Sequence, residues 1–522
     1  MDAVSFDGRT GPTAPAAAAL RAIGASIGDR PHDVRVPPAP SGPAVTPART
    51  ALVIALCTVA LVAAGLVGFA ARAALDPWAD HWDPRVVDLV AFVERERGLV
   101  FRHAVHVDFV DRATMLERLG DATDAASGQS ETEADRAPGV AAGSGGGGDD
   151  VDPGLGMLRA IGLAQGSFDT EQAATDVREL AVSAFYDPAT KRIVTPDGVV
   201  DLVSRATLVH ELTHALQDQY FDLEAPGNAL AMRAVVEGDA RRIENRYYRA
   251  ASERDRSIAQ ARLERENEQL DGDLVDQPGY LQVYFAAPYA LGEPMVGLVA
   301  AAGGNAAVDE LFRRPPQAER AVFDPVSALV VLGADEQPAV VSEPFEGEPL
   351  WTEELGSLGL YLLLLASGQP VGESLDATLE RQADEMQVVD REGRTCVEVE
   401  IRTASTEAAE RLADALSPWA GFTLAQREVE ADFELVTITA CDPGAVDQSL
   451  RPLDIDVLAA PASLNYVIAE LLDEGVDRGQ ARCAARQSVL AHIDGFSAWD
   501  VELDAERFRA DLDRSIRACE GA

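Results

Sequence analysis

Residues 207–214 read Thr-Leu-Val-His-Glu-Leu-Thr-His, which sets His210 and His214 four positions apart with Glu211 between them. On a helix, positions i and i+4 share one face, so two imidazoles at this spacing can grip one zinc ion. A carboxylate beside the first ligand can take a proton from water at that ion. The chain has only seven histidines in 522 residues, so the competing reading, a surface helix with two unrelated histidines, is the weaker one.

Catalytic zinc takes three protein ligands and leaves a fourth position for water. A third histidine just downstream, as in the metzincin arrangement, is ruled out because Gln217 and Tyr220 occupy the required Gly and His places. The alternative is a glutamate from a following helix, with Glu224, Glu237 and Glu244 nearest. Glu237 fits best. It lies 23 positions after His214, enough for one helix to end, the chain to turn at Pro226-Gly227, and a second helix to return. The residues before it, 229–236, are mostly apolar and should face the core, and Gly238 permits close approach of the two helices. An exposed helical carboxylate is the usual state of Glu; the need for a third ligand weighs against it here. Asp239 is either an acceptor that orients a ligand histidine or an ordinary surface Asp.

These residues need elements to hold them. Apolar residues at helical spacing predict a motif helix over 202–220 and a long helix over 229–268, whose charged second half, 249–268, projects into solvent. A helix over 84–96 ends at Gly98, and a strand over 99–110 follows. That strand carries His103 and His106, which three-residue spacing puts on opposite faces, a weak metal signal. Residues 184–195 read as two short strands around an Asp-Pro turn. Residues 285–312 predict apolar helices broken at Gly303-Gly304, and 351–367 a buried helix. A strand at 395–403, a helix at 405–416 and a strand at 433–440 form a small α+β unit, and the tail from 459 is helical.

A chain this long predicts several domains. Its formal charge is −43, and Lys191 is the only lysine. So acidic a surface repels phosphate backbones, which argues against nucleic-acid binding. Residues 1–75 hold six arginines and four aspartates, a net +2, leaving −43 − 2 = −45 for the rest. Between the two parts, 51–71 is an uncharged run bracketed by Arg49 and Arg72, long enough to cross a bilayer. It begins too far from the N-terminus for a cleaved signal, so an anchor is expected. Cys57 lies in that run; Cys396, Cys441, Cys483 and Cys519 follow it. In an oxidising compartment they predict two bridges, Cys396 with Cys441 and Cys483 with Cys519, each close in sequence. The resulting scheme is a disordered cytoplasmic tail (1–49), one transmembrane helix (50–72), a main domain (76–335) with a flexible insertion (121–152), a small α+β region (336–455) and a C-terminal helical region (456–522).

Residues 206–219 (Ala-Thr-Leu-Val-His-Glu-Leu-Thr-His-Ala-Leu-Gln-Asp-Gln), followed by Val236-Glu237-Gly238-Asp239-Ala240, resemble the gluzincin-type zinc metallopeptidases. They are more closely similar to poorly characterised membrane-anchored or secreted bacterial proteins with a His-Glu-Leu-x-His-Ala-Leu-Gln-Asp-Gln helix. Phe185-Tyr186-Asp187-Pro188, Pro288-Tyr289 with Gly292, and Pro315-Pro316 extend the likeness, which covers 85–330 well. Asp324-Pro325 stands where a His-Pro pair is expected. The resemblance implies an α+β, zincin-like, mainly helical domain with a small edge sheet, anchored by one N-terminal span, its body extracytoplasmic. It implies zinc on His210, His214 and Glu237, with Glu211 as general base toward a peptide or protein substrate. The Phe185 region would be an edge strand that pairs with an extended peptide. Tyr289 is the candidate oxyanion stabiliser, the competing reading being a packing tyrosine. The alternative is an inactive zincin-fold envelope scaffold, against which Glu211 argues because a structural site needs no general base.

Overall fold

The apolar positions of 86–93 recur at helical spacing and form α1 (Val87–Arg97), which buries Leu89, Val90, Phe92 and Val93. Gly98 closes it in the left-handed conformation, φ 73°, its amide returned to the Glu94 carbonyl. The structure is a computed structural model, and it describes residues 77–129, 152–198, 201–223, 229–316, 318–331, 349–492 and 505–520. The expected tail (1–49) and span (50–72) lie outside the described residues.

β1 (His106–Val110) is shorter than the strand expected over 99–110. The amides of Arg102 and His103 donate to the Gln219 side chain at 2.8 and 3.1 Å instead of to a neighbouring strand, so the segment before β1 stays irregular. α2 (Arg112–Gln129) carries helix into the first part of the expected insertion; residues 130–151 lie outside the described residues. Asp152 and Asp169 cap α3 (Pro153–Ile161) and α4 (Thr170–Ala181). β2 (Phe185–Asp187) and β3 (Arg192–Pro196) flank the Asp-Pro turn. In this sheet β1 runs parallel and β2 antiparallel to β3, in the order β1-β3-β2, so β2 is an edge strand.

The helices that carry the candidate chemistry follow: α5 (Leu202–Phe221), capped by Asp201, then α6 (Ala229–Ala250), α7 (Glu253–Leu274) and α8 (Gly279–Arg313). The single helix expected over 229–268 is therefore two. Ser252 accepts the Asp255 amide at 3.1 Å and starts α7 afresh. Nor does α7 project freely: it buries Ala259, Leu270 and Leu274, and its Arg262 pairs with Asp201. α8 leaves helical geometry at Gly303 and Gly304, the break the sequence predicts.

Two short helices, α9 (Arg320–Phe323) and α10 (Pro325–Val331), precede the second sheet. There β4 (Trp351–Glu353), α11 (Gly356–Ala366), α12 (Val371–Glu380), β5 (Arg381–Arg391), β6 (Arg394–Thr403), α13 (Thr406–Ala420), β7 (Glu428–Asp432) and β8 (Leu435–Cys441) build a five-stranded antiparallel sheet, order β4-β5-β6-β8-β7. Trp351 thus opens a strand rather than the expected helix, and β5 has no counterpart in the sequence reading. Polar residues at its buried positions, Arg381, Asp384 and Gln387, mask the alternation; Arg381 and Asp384 satisfy each other as a buried ion pair. The chain ends in α14 (Ala459–Asp473), α15 (Arg478–Leu490) and α16 (Ala505–Ala518). Both expected disulfides are formed: Cys396–Cys441 joins facing residues of β6 and β8, and Cys483–Cys519 ties α15 to the end of α16.

The architecture is mixed α+β with small sheets. One buried cluster runs from Leu155 to Cys519 and includes most of α8. A second joins α1 to one face of α5 through Leu89, Val93, Leu208, Val209, Leu212 and Leu216. Among the described residues, Gly279–Arg313 and Ile455–Asp473 are long and apolar enough to cross a membrane. Both are mostly buried within the protein, and the first packs on α6.

Candidate metal centre

With Leu208, Val209, Leu212 and Leu216 turned to the second cluster, α5 presents His210, His214 and Gln217 to α6 at helical spacings of four and three. α6 offers Glu237 from the other side. The two imidazole Nε2 atoms lie 2.9 Å apart, and the Glu237 carboxylate is 3.2 Å from each. All three residues are buried, and among the described residues they are the one group of His, Cys, Asp and Glu whose ligand atoms converge.

The far side of each ring decides what these atoms are. His210 Nδ1 lies 3.1 Å from the Glu244 carboxylate, and His214 Nδ1 lies 3.0 Å from Gln217 Oε1. Both partners are acceptors, so both Nδ1 atoms carry the proton and both Nε2 atoms present lone pairs. Two lone pairs and a carboxylate crowded into one buried spot repel unless a cation lies among them. A tetrahedral zinc ion with ~2.0–2.1 Å bonds holds its ligands roughly 3.3 Å apart, and the observed separations of 2.9, 3.2 and 3.2 Å sit close to that. The donor set fits a divalent metal. Without one, a proton substitutes: burial opposes charge on His210, but Glu237 and Glu244 outweigh it and lift the ring to about 10. Burial likewise opposes charge on Glu237, while His214 and His210 pull it down to about 2.

Glu211 sits beside this group. One of its oxygens is buried with no hydrogen-bond partner, and the Tyr186 amide donates to the carboxyl. Burial raises its pKa to about 7, against the pull of the two histidines. A carboxyl near neutrality with an uncommitted oxygen is equipped to accept and release a proton. The Tyr186 amide comes from edge strand β2, which is fastened to α5 by the Tyr186 hydroxyl donating to Asp218 at 2.7 Å and by Lys191 pairing with the same carboxylate at 2.9 Å.

Other expected roles resolve differently. Asp239 touches neither ring. It accepts from Gln217 at 3.2 Å and pairs with Arg97 and Arg242, both at 2.7 Å, so it holds the residue that holds His214. Glu244 is the acceptor for His210 rather than a third ligand, and Arg241 pairs with it at 2.7 Å. Gly238 does give close approach, but to α8: a Cβ there would collide with the Gly292 backbone. His103 stacks on Trp78, away from the centre. Glu224 lies outside the described residues.

Tyr289 of α8 reaches the centre. Its ring lies 6.1 Å from that of His210, and its hydroxyl is hydrogen-bonded to Glu237. Burial, then the nearby Glu237 charge, push its pKa well above the usual tyrosine value, so it remains a donor. Gln217, missed as a site residue, was findable, since three positions beyond His214 is the same helix face. Arg97, 142 positions from its partner Asp239, carries no such local signal. A cavity of about 1440 Å³ forms an acid-lined groove between α4, α7 and the 450–456 loop, and none of His210, His214 and Glu237 lines it.

The chain matches no family model, no curated protein and no solved structure.

Proposed function

We propose that this protein is a zinc-dependent peptidase with a zincin-like body, held by one N-terminal span (50–72) and working outside the cytoplasmic membrane. The observation that carries the reading is the pairing of three converging acceptors, His210, His214 and Glu237, with an adjacent buried carboxyl, Glu211, that keeps one oxygen uncommitted. A purely structural site has no use for the second feature.

A zinc ion at these ligands supplies a Lewis acid for the scissile carbonyl and eases deprotonation of water. Glu211 takes the proton from the attacking water at its free oxygen and delivers it to the departing amine. β2 offers an extended peptide a backbone edge beside Glu211, since its Tyr186 amide already reaches that carboxyl. Tyr289 orients Glu237 through its hydroxyl and is the side-chain donor proposed for an oxyanion. The two disulfides are the state expected of a body in an oxidising compartment.

Glu211→Gln tests the reading. Metal analysis should find about one zinc per chain in wild type and variant alike, while peptide hydrolysis should fall at least ~100-fold. A variant that cuts peptides at the wild-type rate, or a wild-type protein that binds no zinc, would refute it.

A further inference from the structure

Among the described residues five buried arginines pair with acids: Arg97 and Arg242 with Asp239, Arg159 with Asp442, Arg241 with Glu244, Arg381 with Asp384; a sixth, Arg427, donates instead to the Ala160 carbonyl and the Gln448 side chain. Two half-buried arginines, Arg178 and Arg233, pair with no acid among the described residues. Arg233 stands one helical turn before Glu237 on α6, hence on the same face. It forms no ion pair with Glu237, which the histidines engage. Its guanidinium lies 5.4 Å from the Tyr284 ring and is hydrogen-bonded to that hydroxyl. Arg178, on α4, lies 5.5 Å from the adjoining Phe285 ring, and the two rings are 5.7 Å apart. Among the described residues neither guanidinium pairs with a carboxylate; Glu179, next to Arg178 in the chain, attracts it without an ion pair.

The two cations are close enough to act on each other. Burial, and then the like charge of Arg233, lower the Arg178 pKa. Arg233 is also near enough to Tyr289 for its charge to be felt there, and Tyr289 is bonded to the ligand Glu237. In a chain of net charge −43, holding two guanidiniums together with no carboxylate in ion-pair contact costs stability that a bound anion would recover.

We propose that Arg178 and Arg233 form a carboxylate-binding subsite beside the metal centre, so that the substrates are peptides presenting a carboxylate, either the C-terminal one or an acidic side chain, next to the scissile bond. This rests on the peptidase reading for the word substrate, but the subsite can be tested by binding alone.

The test uses the full chain carrying Glu211→Gln, loaded with zinc, and fluorescent peptides in matched pairs: free acid against C-terminal amide, and internal Glu against Gln. One member carrying the carboxylate should bind about tenfold tighter or more, and the pair showing the preference identifies its source. Arg178→Gln and Arg233→Gln should each remove it, and Arg→Lys at either position should keep part of it. Since neither side chain has an acidic partner, the Gln variants should melt at or above the wild-type temperature; the Lys variants carry the test if a Gln variant fails to fold. Equal binding of all pairs, or a preference that survives the double Gln substitution, overturns the subsite. Hydrolysis by wild type is read separately. If no peptide is cut while carboxylate-dependent binding persists, the hydrolase reading fails and the subsite stands. If peptides are cut without regard to the carboxylate, the reverse holds.

Discussion

Gly238 and Gly292 face each other where α6 crosses α8: a Cβ on Gly238 would lie inside van der Waals contact of the Gly292 carbonyl, and one on Gly292 would meet the carbonyl of Ala234. The crossing lets backbones touch, and it sets Tyr289 of α8 against Glu237 of α6. Gly238→Ala and Gly292→Ala should each destabilise the protein by at least ~1–3 kcal/mol through overpacking, and each should also weaken zinc binding by displacing Glu237. Urea unfolding and a zinc titration with a competing chelator would show both losses together. Loss of neither would mean the crossing is loose.

Glu244 fixes the proton of His210 on Nδ1 at 3.1 Å. Removing that acceptor with Glu244→Leu should cost ~10–100-fold in zinc affinity, whereas Glu244→Gln, which keeps an acceptor oxygen, should cost less. Affinities measured against a chromogenic chelator discriminate; equal losses for Leu and Gln would show that charge, not orientation, is what Glu244 supplies.

The metal-free protein should lose stability as pH rises. His210 is raised from 6.5 to about 10, so the stability it contributes is complete below 6.5 and disappears as pH climbs through about 10. Glu211 is raised from 4.5 to about 7, so its contribution is complete below 4.5 and disappears through about 7. Glu237, lowered to about 2, contributes above 4.5 and loses its share only in acid. Zinc must displace the His210 proton, so its binding strengthens over the same range. The zinc-induced rise in melting temperature should therefore grow from about pH 5 to about pH 8. A rise that shrinks with pH would contradict the assignment of His210 as a ligand.

Arg97 and Asp239 are both fully buried and paired at 2.7 Å. Arg97→Met leaves that carboxylate with Arg242 and Gln217 alone, and should destabilise the fold by ~3–5 kcal/mol. Because Gln217 bridges Asp239 to His214, zinc affinity should drop as well. Chemical denaturation with and without zinc separates the two effects; unchanged stability would mean Arg242 suffices.

Much of this was legible locally. The His210/His214 pair, the break at Gly303-Gly304, the Asp-Pro hairpin and both disulfide partners follow from spacings of a few to some forty residues. The restart at Ser252 was readable too, as a Ser directly ahead of an acidic first turn, but the uninterrupted run of charge hid it. β5 was hidden for another reason: its buried Arg381 and Asp384 read as surface residues until their ion pair is seen.

By itself the sequence determined which side chains share the face of α5, because the pitch of a helix is a local property of the backbone. It also limited the third ligand to a few glutamates. Glu237 and Glu244 lie seven apart on α6, two turns of one face, and both reach His210. Only the tertiary structure decided that the first meets Nε2 and joins the converging acceptors while the second meets Nδ1 and fixes the ring. That choice depends on where α5 and α6 cross, and the crossing is set by α8 and the Gly238–Gly292 contact, packing that no spacing within one helix encodes.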